Sequence, residues 1–238
     1  MYNTKVELPN KTRQWFKVSS VTTLIQMLGV LFPIFVFSML GSEPTSAKEF
    51  YDLLQTNRIE AILRIDFSSL IVISFLIFPA VCFFILLRDK YPFSATISLG
   101  SVLIAVAIGI SIHYGLSLIH LGDLYAQTSA ESTRQQLLAS GNSLIASGWY
   151  HSTGYAVSGI FCQGAFVLFL FLLLKEESFS NKVAILGILA NGLDLLHVIV
   201  AFINYNVGFA ILAIGGIFYL LWFPFLAYEF YKISRSPR

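Results

Sequence analysis

The sequence predicts an all-α integral membrane protein: a bundle of six transmembrane helices with short amphipathic helices in its outer loops. Three observations predict it. Of 238 residues, 56% are hydrophobic and only 12% are charged, against roughly 25% charged in a soluble domain. Mean hydropathy is +0.75, so most of the surface is not built to face water. Six apolar runs, at 18–41, 67–88, 95–119, 149–174, 183–204 and 208–231, each reach the ~20 residues that a helix needs to cross the hydrocarbon core. They must be helices, because an unpaired backbone in lipid is too costly and nothing alternates like a barrel strand. We read residues 1–238 as one polytopic domain.

Basic residues orient the zigzag. Lys5, Lys11, Arg13, Lys17, Arg88, Lys90, Lys175, Lys182, Lys232, Arg235 and Arg238 fall on one side, and Lys48, Arg58, Arg64 and Arg134 on the other. Eleven against four places both termini in the cytoplasm of a multi-pass protein of the cell membrane. Interfacial aromatics agree, with Trp15, Phe16, Tyr228, Phe230 and Tyr231 inside and Trp149, Tyr150 and Tyr205 outside. The net charge of +2 gives no reason to expect nucleic acid as a partner; the lipid bilayer is the expected one.

The first apolar run, 18–40, exceeds the ~7–15 residues of a signal-peptide core and meets no A-x-A site, so it reads as an uncleaved span. The outer stretch "TSAKEFYDLLQTNRIEAILRID" spaces Ser46 and Glu49 as a capping box before a broken apolar face. The later stretch "TSAESTRQQLLASGNSLIASGWY" repeats that spacing with Thr128 and Glu131 and offers Gly141 as a helix C-cap. The inner loops, "RDKYPFS" and "KEESFSNK", are short. Pro33, Pro79 and Pro224 fall inside the first, second and sixth spans, where each removes a helix hydrogen bond and can kink the helix. Ala105-x-x-x-Gly109 and Gly154-x-x-x-Ser158 allow close helix contact. A faint echo links "LLRDKYPFSATISLG" to "LLLKEESFSNKVAILG", although leucine-rich helix boundaries converge easily.

"RIEAILRIDFSSLIVISFLIFPAVCFFILLRDKYPFSATISLG" and "SFSNKVAILGILANGLDLL" resemble corresponding segments of the bacterial six-span membrane family known as domain of unknown function 4386. The resemblance runs from about Arg58 to Lys232. It implies the same order of spans with short inner loops, and it carries no activity and no site residue.

Ionisable residues inside a span are costly and count as functional hypotheses. "NGLDLLHVIVAFINYN" sets Asn191, Asp194 and His197 within two turns of the fifth span. His113 and His120 belong to the outer end of the third span and His151 to the mouth of the fourth, with Gln163 deeper. All four histidines thus fall in the outer half. The candidate lining residues are His113, His151, Asn191, Asp194 and His197. Arg64 either snorkels to head groups or pairs with Asp123 or another outer acid, and Asp66 sits beside it.

No ligand-dense motif points to a metal, and His113 and His120, seven residues apart, lie about 10 Å from each other along one helix. Cys82 and Cys162 sit in apolar runs and read as inert thiols. No P-loop, dinucleotide fingerprint or nucleophile elbow is present, so neither a catalytic residue nor a cofactor is expected. The leading function is binding or passing a small molecule, lipid or proton through an outward-facing polar pocket. The alternative is a structural or accessory subunit whose polar groups only tie helices together; the third reading is an intramembrane metal-dependent hydrolase.

Overall fold

The computed structural model describes residues 9–65, 67–147 and 152–235, and every regular element among them is an α-helix. In chain order these are α1 (Asn10–Leu40), α2 (Ala47–Thr56), α3 (Arg58–Arg64), α4 (Ser68–Phe75), α5 (Ile77–Leu87), α6 (Pro92–Ser111), α7 (Gly115–Gln127), α8 (Glu131–Ser147), α9 (Thr153–Leu173), α10 (Asn181–Ala201) and α11 (Tyr205–Arg235). Six stretches are long and apolar enough to cross a membrane: Asn10–Leu40, Arg58–Leu87, Pro92–Gln127, Thr153–Leu173, Asn181–Ala201 and Tyr205–Arg235. Their packing closes into a ring, α1 on α4 and α5, these on α6, then α9, α10 and α11, which returns to α1.

α1 and α11 run antiparallel in register. Ser20 Oγ donates to the Ala227 carbonyl at 2.8 Å, and the Phe16 and Phe230 rings meet edge-on with centroids 5.8 Å apart. The loops after α5 and α9 meet at the same end, where Lys90 Nζ lies 2.8 Å from Glu176 Oε1. Near this basic end, Phe83 is fully buried, with the rings of Phe166, Phe169, Phe179 and Phe230 5.5–6.1 Å away. α6 and α9 approach closely where the small-residue motifs coincide: Ser158 Oγ donates to the Ala105 carbonyl at 2.8 Å.

Two spans are not the continuous helices expected. The second breaks at Leu76, between α4 and α5. Pro79 has no N–H for the carbonyl four residues back, and the Leu76 N–H turns to Ile73 O at 3.2 Å, three residues back. Broken backbone at membrane depth must find partners within the protein. Buried Gln26 of α1 supplies one, its Nε2 donating to the Val72 carbonyl at 3.1 Å.

The third span, expected over 95–119, ends as α6 at Ser111, and the chain turns before α7 begins at Gly115. His113 and His120 therefore do not share a helix. A Cβ at Gly115 would meet His113 Cε1 and Phe67 Cζ, each at 2.9 Å, so any larger residue would have to push these rings aside. The turn lets α7 leave the ring and pack on α2 and α8.

Those helices, with α3, form a second apolar core at the end opposite the basic loops, built on Phe50, Tyr51, Leu54, Leu118 and Tyr125. This cap is more than a pair of connectors. Ser46 Oγ accepts from Glu49 N–H at 3.2 Å, as the capping spacing predicts. Ala47 N–H donates to Asn142 Oδ1 at 2.8 Å and Tyr51 O–H to the Leu137 carbonyl at 3.1 Å, tying α2 to α8. Arg58 grips Asp123 with two bonds of 2.6 and 2.9 Å.

Arg64 pairs with outer acids other than Asp123, which Arg58 holds. It donates twice to the Ser42 carbonyl, at 2.8 and 2.6 Å, and lies 3.4–3.5 Å from Glu49 and Glu60. Asp66 lies outside the described residues. Gly141 is no C-cap: it is buried inside α8, where Ala47 and Tyr51 pack against it too closely for a side chain. Thr128 is no capping-box residue either. It ends α7, and its Oγ1 accepts from Ala130 N–H at 3.4 Å.

The cap supplies a pH prediction. Burial pushes the Tyr51 phenol from its usual 10.0 up to about 12. A raised phenol value leaves its contribution whole below the unfolded value and removes it as pH climbs through the folded one. Between about pH 10 and 12 the protein should therefore lose thermal stability faster than its Tyr51→Phe variant, which melting curves of the two would compare.

Candidate functional site

Three helices converge at mid-span on one polar cluster. Gln163 stands on α9, Asn191, Asp194 and His197 on α10, and Tyr219 on α11. Counted from the cap-end starts of α9 and α11, Gln163 and Tyr219 lie about 15 and 21 Å along their helices; Asp194 lies about 20 Å along α10 from the basic end. Spacings of three residues put Asn191, Asp194 and His197 on one face of α10. α10 can approach its neighbours because Gly187, one turn before Asn191, has no side chain: a Cβ there would meet Trp222 Nε1 at 2.5 Å and Leu170 Cδ1 at 2.7 Å.

The side chains bond mainly to one another. Gln163 Nε2 donates to Asp194 Oδ2 at 2.7 Å, and His197 Nδ1 lies 3.2 Å from Asp194 Oδ1. The Tyr219 hydroxyl sits 3.1 Å from Gln163 Oε1, 3.0 Å from Asn191 Oδ1 and 3.2 Å from Asp194 Oδ2. Asn191 Nδ2 donates to the Gly187 carbonyl at 2.8 Å. His197 and Asn191 are 3% and 2% exposed, and the Tyr155 ring stands edge-on to His197 at 6.1 Å.

Counting protons exposes a deficit. A phenol has one hydrogen to donate, yet three acceptor oxygens surround that of Tyr219. The phenol can serve one of them. A proton on Asp194 Oδ2 would turn a second contact into a hydrogen bond, with the acid donating to the phenol oxygen. Around the Tyr219 hydroxyl, acceptor oxygens thus outnumber the one hydrogen it can donate.

Of the candidate residues, Asn191, Asp194 and His197 come together here. His113 does not join their hydrogen bonds. It sits at the α6–α7 joint, its Nδ1 accepting from Gly115 N–H at 3.3 Å and its ring 5.2 Å from Phe67. His151 lies outside the described residues. Tyr219 was not singled out in the sequence; its signal was a lone phenol in mid-span, whose hydroxyl needs a partner when buried. Among the described residues no group of three or more His, Cys, Asp or Glu is placed to hold a metal ion, so the hydrolase reading finds no ligand set there.

The family model described as "Domain of unknown function (DUF4386)" matches residues 20–231. No curated protein and no solved structure matches the chain.

Proposed function

We propose that this chain, which belongs to the DUF4386 family, is a multi-pass protein of the cell membrane that takes up and passes a proton through the cluster of Gln163, Asn191, Asp194, His197 and Tyr219. The observation that carries the reading is the donor deficit around the Tyr219 hydroxyl. A set of side chains bonded to one another suits a proton, which needs no cavity to move through it. Asp and His chains inside membranes are the usual material of proton relays. In this reading Asp194 accepts the proton at one carboxylate oxygen. Rotation of the carboxyl group brings that same proton to the side facing His197, where it passes to Nδ1, and the imidazolium so formed releases its other proton from Nε2. Cytoplasmic termini, from the bias of basic residues, would make the cap end the outer one. His113 would then stand on the outward side of the path.

Purified protein in liposomes with an internal pH-sensitive dye provides the test. Under a potassium diffusion potential the native chain should acidify or alkalinise the lumen, and Asp194→Asn should slow that change at least about a hundredfold, the low end for removing a proton-transfer group. Equal, leak-level rates in both would overturn the reading. They would leave the structural alternative, which the joining of three helices by one bonded cluster favours.

A further inference from the structure

A cavity of about 450 Å³ opens between α1 and α11 near the basic end, lined by Lys17, Val18, Ser20, Val21, Thr22 and Tyr231. It is remote in register from the polar cluster: Ser20 pairs with Ala227, two turns beyond Tyr219. We infer that this groove binds one anionic phospholipid, its phosphate held by Lys17 and Arg235 and the start of an acyl chain laid along Val18 and Val21.

The wall is apolar although hydroxyls line it, because those hydroxyls are already engaged. Ser20 Oγ donates to the Ala227 carbonyl at 2.8 Å and Thr22 Oγ1 to the Ser19 carbonyl at 3.2 Å. Val18 and Val21 are exposed along the floor. The rim is basic. The antiparallel register brings Lys11, Arg13 and Lys17 of α1 to the end of α11 that carries Lys232 and Arg235. The Arg235 guanidinium lies 5.3 Å from the Tyr231 ring centroid, which forms part of the groove. Glu229, the acid nearest in sequence, is buried and faces Lys232 at 3.4 Å. An apolar trough beneath a cationic rim, where charged sequence gives way to the apolar span, is complementary to a lipid carrying net negative charge.

Native mass spectrometry and melting curves of the full chain in detergent, titrated with phosphatidylglycerol or phosphatidylcholine, test this. Phosphatidylglycerol should remain bound at one copy per chain and raise the melting temperature, and phosphatidylcholine should do neither. Lys17→Ala with Arg235→Ala, both at exposed positions, should weaken phosphatidylglycerol about tenfold, and Val21→Trp should block it by filling the trough. Melting in phosphatidylcholine should stay as in the native chain, showing that the variants fold. Equal binding of both lipids, retention by Val21→Trp, or an equal shift from inorganic phosphate alone would overturn the inference. So would a dimer that Val21→Trp dissolves, since a second copy would then occupy the groove.

Discussion

Phe83→Ala should lower stability by about 3 kcal/mol, the lower end of the range for a buried phenylalanine. Lipid tails are as apolar as the helix interface, so the loss comes from packing and not from exposure to water. Phe83 touches four rings from three other parts of the chain: Phe166 and Phe169 on α9, Phe179 before α10, and Phe230 on α11. Its removal opens a void where all of these meet, and rings held by their own helices can close it only partly. Phe171→Ala is the comparison, because that ring is 53% exposed on the outside of the ring of helices. Melting in one detergent should separate the two variants clearly. Equal shifts would mean that this aromatic knot does not hold the bundle together.

Asp194→Ala should be the most damaging change within the polar cluster. It takes away the shared partner of Gln163 Nε2, His197 Nδ1 and the Tyr219 hydroxyl. Each buried polar group left unsatisfied costs about 1–3 kcal/mol, and part of that is recovered because Tyr219 keeps Gln163 and Asn191. A net loss of about 2 kcal/mol is expected on that basis. Asp194→Asn keeps the shape and two polar atoms, so it should melt closer to the native chain while still failing to carry a proton. Stability and flux measured together on both variants distinguish support of the helices from proton movement. Native-like flux in Asp194→Asn would exclude the carboxyl as the carrier.

The six spans were legible because length and apolar composition alone decide whether a helix can cross a bilayer. The breaks were less so. Hydropathy runs unbroken through Leu76 and through the α6–α7 joint, and no local count separates a straight span from a bent one. Pro79 marked the first break, but what sustains it is Gln26, distant in sequence. Gly115 was the only local mark of the second, and the pull that turns the chain there comes from α2 and α8. The same long-range packing made Gly141 an interior helix residue instead of a terminator. At the site, Asn191, Asp194 and His197 stood out as polar groups in an oily run, whereas Tyr219 could be recognised only once α11 lay beside α10. His113 looked equivalent to them by depth and belongs instead to the base of the cap.

The closure of the ring by α1 and α11 has a consequence for biosynthesis. Ser20 and the Ala227 carbonyl it holds are 207 residues apart, so a ribosome adding roughly 5–20 residues per second needs about 10–40 s to deliver the second after the first. For that interval α1 sits in the bilayer without the neighbour that will cover one flank. A nascent chain stalled before α11 would leave that flank against lipid or against whatever insertion machinery shelters it, making the last helix the step that completes the first.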